Sequence, residues 1–427
     1  MARRAFLAGI LLALAAGAGE REDYLATARL AMEAKLKEGD ALLAAGDRAG
    51  ALRAYEDAVA LFRDAERRFR GAGPATDSER DAPTAAEESL ARALRWLAAH
   101  QDVAESGAWD CDGFMKHDPA WRRSTGAGNG RYDVGVTGLA LLAFLEAGHR
   151  PGTPPFGENV RMGLAYLKAS QDADGCIGSR ETNRHFLHNH GAATAAIGEA
   201  LRLTGDAALR EPAQRALEFI AKARNPELAW RYGIRPGEND SSVTGWMLLA
   251  LDAGRRAGLE VDAKAFDGAR VWIEKMTDPA TGQGGYLQRG GGSARPEGRI
   301  ATFPSDLTEA MTASLLVSRL HCGENPRSPM MVKGADLLER LPPNWYGGSI
   351  DMYYWFFGSR ALSAVGGRSW KVWREALVAM LPVNQGEDGS FDPVDPWGDD
   401  GGRVYSTAMC ALTLHRAASV GDGPARD

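Results

Sequence analysis

Residues 133–142 read DVGVTGLALL, and residues 240–249 read DSSVTGWMLL. Both stretches begin with Asp, carry Thr four residues later and continue with small and apolar residues. On a helix these residues cover nearly the whole circumference, which is typical of a buried helix. The small residues also let a neighbouring helix approach closely. The recurrence of this segment predicts a layer of buried helices.

Four further segments follow the same pattern. Residues 190–199 and 403–412 also carry Thr at the fifth place, whereas 306–315 and 351–360 are looser copies. The first residue is an Asp in four of the six copies, and Asp is favoured at helix N-termini. These four residues are Asp133, Asp240, Asp306 and Asp351.

A second set of segments alternates with the first and is amphipathic. Its members begin with polar residues and carry Ala and Leu stripes, so each predicts a helix with one solvated face. A glycine-rich or aromatic loop follows each one. The candidate segments are 88–101, 158–171, 210–223, 264–276, 330–341 and 369–382.

Six inner and six outer helices predict an all-α fold, an (α/α)6 barrel or toroid. An open solenoid is the alternative, but it would leave two end faces in need of caps. A closed ring of helical pairs buries both faces. We therefore expect the toroid to span residues 87–420.

The composition is that of a globular protein. The chain has 427 residues, 44% of them hydrophobic, and a formal net charge of −6. A mildly acidic chain has no global field to attract nucleic acid, and we expect no such partner. The four cysteines, at positions 111, 176, 322 and 410, form no CxxC pair and are interpreted as buried single thiols.

The first 86 residues divide into three segments. Residues 1–18 have a basic start, an apolar run and small residues where a signal peptidase would cut, so they predict a signal peptide and an exported protein. Residues 22–70 predict a helical hairpin, which resembles a single tetratricopeptide repeat and offers a docking element for a protein partner. Residues 71–86 are a linker of Gly, Pro, Ala and charged residues. No later segment is apolar for long enough to predict a membrane span.

The loops after the outer helices carry a family resemblance. Gln101 followed by Gly107-Ala108-Trp109 has the form of a QW motif, and related copies begin at Gln171 and Gln385. Together with the repeat pattern over residues 87–420, they resemble the squalene-cyclase and protein-prenyltransferase superfamily of α/α toroids. Residues 240–246 and 401–407 are similar to those of secreted bacterial prenyltransferase and squalene-oxidase repeat proteins. The resemblance implies a central cavity that binds an apolar, isoprenoid-like ligand.

The chain departs from each known chemistry of that superfamily. No D-x-D-D string is present to protonate an alkene, so squalene cyclase activity is not expected. Asp110-Cys111 lacks the spacing of the prenyltransferase zinc ligands. Cys322-Gly323-Glu324-Asn325 is only a partial copy of a thioester sequence. The sequence therefore predicts no metal and no cofactor.

The predicted ring brings the starts of the inner helices towards one rim. The candidate acid–base residues there are Asp133, Asp240, Asp306, Asp351 and His190, and the alternative is that they cap helices. The candidate ligand-binding residues are Trp246, Tyr353, Tyr354, Arg403 and Tyr405, because aromatic faces bind apolar chains and cations. The cluster of His185, His188 and His190 has no identifiable matching carboxylate, so His190 is interpreted as a hydrogen-bonding residue at a helix start.

Three functions remain open from the sequence. The first is binding, with or without conversion, of an isoprenoid-like ligand in the cavity. The second is a non-catalytic envelope scaffold, which a cavity plugged by side chains would favour. The third is a carbohydrate-active barrel, which needs two carboxylates at a suitable separation in the cavity.

Overall fold

The chain divides into two units, residues Met1–Ala82 and Pro83–Asp427. The computed structural model describes residues 83–121 and 123–420, and before them 30–35, 37–42 and positions 45, 47, 50, 54, 57 and 58. Residues 30–35 and 37–42 are helical. The predicted signal peptide and most of the predicted hairpin and linker lie outside the described residues and stay predictions.

Within the described residues, the second unit is built from twelve α-helices. In chain order the helices alternate between an outer and an inner set. The outer helices are α1 (Ala85–Ala99), α3 (Gly157–Ala169), α5 (Arg210–Ala223), α7 (Ala263–Met276), α9 (Pro329–Arg340) and α11 (Gly367–Asn384). The inner helices are α2 (Asp133–Glu146), α4 (Phe186–Thr204), α6 (Ser241–Arg256), α8 (Ala310–His321), α10 (Met352–Val365) and α12 (Gly398–Ser419).

The inner helices form a closed ring. Each contacts the next in chain order, and α12 returns to contact α2. The outer helices pack against this ring, and α11 also contacts α1. The predicted (α/α)6 toroid is therefore confirmed, and the open solenoid is excluded. The described residues contain no β-strand, only two isolated bridges.

The outer helices lie within two residues of their predicted positions at most ends. The largest shift at a start is in α1, which begins at Ala85 rather than at residue 88. Thr84 accepts a hydrogen bond from the backbone N–H of Glu87, and the Glu87 carboxylate accepts one from the Thr84 N–H. This capping box draws the last residues of the predicted linker into the helix.

The QW-like glutamines act as clasps between successive outer helices. The side-chain amide of Gln385 donates to the carbonyl of Gly389 in its own loop (2.7 Å) and to that of Ser89 in α1 (2.9 Å). Gln101 and Gln171 repeat both bonds, each to its own loop and to the first turns of the next outer helix. Because Gln385 joins the end of α11 to the start of α1, the same clasp closes the ring.

Threonines of the inner helices hold these loops from the inside. Thr137, Thr312 and Thr407 each accept a hydrogen bond from a loop backbone N–H at 2.9–3.0 Å. In the copy at residues 190–199 the acceptor of the loop N–H is Nδ1 of His190, not Thr194. The predicted register of that copy was therefore one helical turn too late.

Within the described part of the chain, no helix is both long enough and apolar enough to cross a membrane. All four cysteines are buried as free thiols.

Candidate functional site

The loops that precede the inner helices meet at one end of the ring, which we call the mouth. They comprise residues 100–132, 170–185, 224–240, 277–309, 341–351 and 385–397. Contacts join neighbouring loops there: the hydroxyl of Tyr132 lies 3.4 Å from Nδ1 of His185, and the hydroxyls of Tyr232 and Tyr286 are 2.7 Å apart. The starts of the inner helices thus share one rim, as the sequence predicts.

Asp240 caps α6 and is fully buried. One carboxyl oxygen accepts a hydrogen bond from the backbone N–H of Val243 (2.7 Å), and the other accepts none. Nε of Arg231 lies 3.9 Å from that second oxygen. Burial raises the pKa of Asp240 to about 7, since a carboxylate is poorly solvated inside the protein. Asp240 therefore holds its proton more tightly than an exposed aspartic acid does.

Asp351 caps α10, and the charge of Arg295 compensates its carboxylate. It accepts a hydrogen bond from the N–H of Tyr354 (2.9 Å), one from Arg295 (3.0 Å) and one from the hydroxyl of Thr308 (3.2 Å). The Arg295 side chain is 2% exposed, so this is a buried ion pair. Asp351 therefore serves to anchor the loop that carries Arg295.

A second buried carboxyl group, that of Asp395, lies beside Asp351. It accepts a hydrogen bond from the N–H of Met352 (3.3 Å) and one from the N–H of Trp397 (3.1 Å). Burial, with the neighbouring charge of Asp351, raises the pKa of Asp395 to about 7. Both carboxyl groups are 0% exposed, so a sugar cannot reach this pair in the structure.

Asp133 is the first residue of α2 and accepts a hydrogen bond from the N–H of Cys111 (2.8 Å). Burial raises its pKa to about 7. Asp110, Asp112 and Asp133 can each offer one carboxylate oxygen, all within 4.8 Å of one another. Among the described residues this is the donor set that could hold a cation, and oxygen donors suit a hard divalent ion.

Two predicted acid–base residues lie elsewhere. Asp306 was wrongly placed at a helix start: it is exposed in the loop, and α8 begins only at Ala310. His190 lies one turn inside α4, fully buried, with Nδ1 bonded to Ile177 (3.0 Å) and Nε2 to the Ala216 carbonyl (3.1 Å). Both of its nitrogens are used to hold a loop to two helices, which is a structural role.

The centre of the ring is occupied by aromatic side chains. The indole of Trp246 on α6 stacks on Phe356 of α10, with ring centroids 5.6 Å apart, and packs against Phe357 at 5.3 Å. Tyr353 packs on Phe357 at 4.5 Å and donates to the hydroxyl of Ser314 at 3.1 Å. Because α6 and α10 are not neighbours in the ring, these contacts cross its interior.

The other predicted ligand-binding residues differ in where their side chains lie. Tyr405 is 9% exposed and lies on inner helix α12. Tyr354 points to the outer layer, where its hydroxyl donates to the carbonyl of Leu341 and its ring meets Trp373 of α11. Arg403 donates to the carbonyl of Thr125 and pairs with Asp392. The polar groups of Tyr354 and Arg403 are thus engaged by the protein itself, and their predicted ligand contacts stay predictions.

An ion pair lies at the opposite end of the ring, near the C-termini of the inner helices. Arg360 of α10 pairs with Glu146 of α2 across the ring, and its guanidinium lies 4.3 Å from the centroid of Phe356. The charges of Arg360 and Arg416 hold the pKa of Glu146 below its usual range against the effect of burial. Sequence reasoning missed this pair, although the four-residue spacing of Phe356 and Arg360 places them on one helix face.

The chain is similar in structure to known proteins. MstE, a type II terpene cyclase from Scytonema, matches with a TM-score of 0.51 at 13% identity, over 79% of this chain and 99% of the cyclase. A ligand-free variant of the same enzyme gives 0.50, with 13% identity and coverages of 79% and 98%. A variant bound to geranylgeranyl dihydroxybenzoate, its substrate, gives 0.49 with the same identity and coverages.

Neither a protein-family model nor a curated protein sequence matches the chain. At 13% identity this likeness establishes the fold alone: the chain shares the α/α toroid fold of that cyclase.

Proposed function

We propose that the toroid binds an apolar, isoprenoid-like ligand at its centre. The observation that carries the proposal is the aromatic cluster formed by Trp246 of α6 with Tyr353, Phe356 and Phe357 of α10. Trp246 and Tyr353 each keep 6% exposure. Their faces offer an unsaturated hydrocarbon chain both apolar area and weak electrostatic attraction.

Binding is favoured over cyclisation. Cyclisation through a carbocation needs aromatic faces that are open to a positive charge. One face of Phe356 already carries the guanidinium of Arg360 at 4.3 Å. A second cation beside it would be repelled in this poorly solvated interior. The chain also has no D-x-D-D string to start such a reaction.

A non-catalytic scaffold is the second candidate function. It is favoured by the contact of Trp246 with Phe356 across the ring, since a centre filled by its own side chains needs no ligand. Under this alternative the N-terminal hairpin would dock the partner, and residues 1–18 would direct export. The mass of the mature chain purified from its native host tests export, because cleavage after residue 18 removes the signal peptide.

Two measurements separate the two functions. Native mass spectrometry of protein purified from its native host should show an added mass, and extraction should identify an isoprenoid lipid. Titration with geranylgeraniol should quench tryptophan fluorescence with a dissociation constant in the micromolar range, about −8 kcal/mol.

Two variants locate the binding. Trp246→Ala should weaken geranylgeraniol binding at least about tenfold, a loss of about 1.4 kcal/mol. Trp121→Phe is the matched control, because Trp121 is 82% exposed on a mouth loop and should bind as the wild type does. Absence of both a bound lipid and a titratable response would reject ligand binding and favour the scaffold.

A further inference from the structure

Arg131 and Arg184 at the mouth form no salt bridge with any residue that the structure describes. Arg131 lies in the short helix before α2 (Gly130–Tyr132), and Arg184 lies just before α4. Both side chains are exposed; Nε of Arg131 donates to Oδ1 of Asn129 (3.2 Å), and the Asp400 carboxylate acts on Arg131 without forming a salt bridge. Most other arginines of the mouth loops are paired, as Arg231 is with Glu238 and Arg295 with Asp351.

Buried amides fix the backbone between these two arginines. Asn183 and Asn189, only 2% and 3% exposed, both donate to the carbonyl oxygen of Arg131, at 3.1 and 2.7 Å. Asn183 directly precedes Arg184 in the chain. The two guanidinium groups therefore project from backbone that is held against the start of α4, although they come from different repeats.

Neutral donors lie beside the cations and form a series of contacts along the mouth. The hydroxyl of Tyr132 lies 3.4 Å from Nδ1 of His185, and the His185 ring packs on Tyr232 with centroids 4.4 Å apart. The Tyr232 hydroxyl continues to that of Tyr286 at 2.7 Å. Two exposed arginines, an imidazole and phenolic hydroxyls are groups that together bind an oxyanion.

We propose that Arg131, Arg184 and His185, with the hydroxyl of Tyr132, bind an anionic head group, a carboxylate or a phosphate, on the ligand of the toroid. The site for the anion stands on these contacts alone, and only its link to an apolar chain rests on the proposed function. The head group would sit at the mouth, and the chain would extend towards the aromatic cluster.

The charges around His185 agree with this assignment. The groups that face it are Tyr132, Tyr232, His188, Arg131 and Arg184, and no carboxylate is among them. Burial and the two arginines lower the pKa of His185. A bound anion would offset the arginine charges and favour the imidazolium form, so anion binding should raise the pKa of His185. The charge of Asp240 acts on Tyr232, and that of Asp400 acts on Tyr132 and on Arg131.

The first test uses inorganic phosphate and NMR titration of the histidines, with the His185 signal assigned from a His185→Gln variant. Phosphate should raise the pKa of His185 by half a unit or more in the wild type. In the double variant Arg131→Gln/Arg184→Gln the shift should disappear. Arg327→Gln is the control, because this exposed arginine precedes α9, at the other end of the ring, and should leave the shift unchanged. No shift in the wild type, or an equal shift in the double variant, would overturn the site.

The second test compares geranylgeranyl monophosphate with geranylgeraniol. The phosphate should bind at least tenfold more tightly, and the double variant should lose that difference while its binding of the alcohol is unchanged. Equal affinities would reject the head-group site and leave the proposed function intact. If neither lipid binds but inorganic phosphate still shifts His185, the anion site stands as a site for free anions and the proposed function fails.

Discussion

Arg360 and Glu146 form an ion pair between α10 and α2, two inner helices that are not neighbours in the ring. The side chains are only 12% and 15% exposed. Since Arg360 also lies against Phe356, which stacks on Trp246, three inner helices are joined across the interior by one chain of contacts. The ring is therefore braced internally as well as by the packing of adjacent helices.

Removing one partner of this pair should destabilise the toroid. Arg360→Leu leaves Glu146 poorly solvated and without its main counter-charge, so we expect a loss of about 3 kcal/mol. The double variant Glu146→Leu/Arg360→Leu should recover most of that loss, because it leaves no uncompensated charge. Urea unfolding followed by circular dichroism measures all three proteins.

The matched control is Arg161→Leu, which breaks an exposed pair with Glu158 within one helix. Such surface pairs contribute little, so the midpoint should barely move. If Arg360→Leu also left the urea midpoint unchanged, the ion pair would not stabilise the ring.

The clasp at Gln385 should matter to ring closure. Gln385→Leu keeps the size of the side chain but leaves the buried carbonyl of Gly389 without its side-chain donor, removes the second donor to the Ser89 carbonyl, and leaves the buried Ser89 hydroxyl without its acceptor. Unsatisfied buried acceptors of this kind cost about 1–3 kcal/mol, and we expect about 2 kcal/mol here. Urea unfolding measures the loss, and Gln288→Leu, an exposed loop position, should have little effect. Equal midpoints for the two variants would contradict a role for the clasp in stability.

Two glycines with positive φ test how closely the loops approach the helices. Gly389 has φ of 97°, and a Cβ there would lie 2.5 Å from the carbonyl oxygen of Arg92. Gly205 has φ of 66° but open space around it. Gly205→Ala should therefore cost only the left-handed backbone, about 1 kcal/mol.

Gly389→Ala must in addition move α1 away from the loop, so we expect at least about 3 kcal/mol by thermal or urea unfolding. If both alanine variants lost the same stability, the close approach at Gly389 would carry no cost. The comparison separates the cost of the close contact from the cost of the left-handed backbone, because φ is positive at both positions.

The sequence predicted the fold well because the fold is periodic. Every repeat carries the same physical requirement, a buried small-residue helix and an amphipathic partner, so errors in one copy were corrected by the others. The misplaced Asp306 lies in one of the two looser copies, whereas the misplaced register at Thr194 lies in a copy that keeps Thr at the fifth place. Neither error changed the number or the order of the helices.

The site was less predictable because it depends on contacts between distant residues. The direction of Tyr354 towards α11 follows from the packing of five adjacent aromatic residues, which the sequence alone cannot resolve. Arg295 comes from a 33-residue loop without helical pattern, and its burial against Asp351 has no local signal. The grouping of Arg131 with Arg184 likewise requires the ring to be closed in space.

Ionisation of Asp240 should make the protein's stability depend on pH in a defined direction. Its pKa of about 7 in the folded protein exceeds the ordinary value of 3.8, so the folded state holds this proton more tightly than the unfolded state does. The stability contributed by the protonated carboxyl is complete below about pH 4 and is lost as the pH rises through about 7.

Asp240→Asn mimics the protonated form and should escape that loss. Between the two pKa values the wild type loses about 1.4 kcal/mol of stability per pH unit relative to the variant, so the variant's advantage should be larger at about pH 8 than at about pH 5 by about 2–3 kcal/mol. The buried histidines titrate with the opposite sign, but both proteins share them, so they cancel in the difference. Urea unfolding at the two pH values measures the effect, and Asp306→Asn, a change at an exposed position, is the control. A stability difference for Asp240→Asn that stays constant with pH would mean that this carboxyl group does not titrate near neutrality.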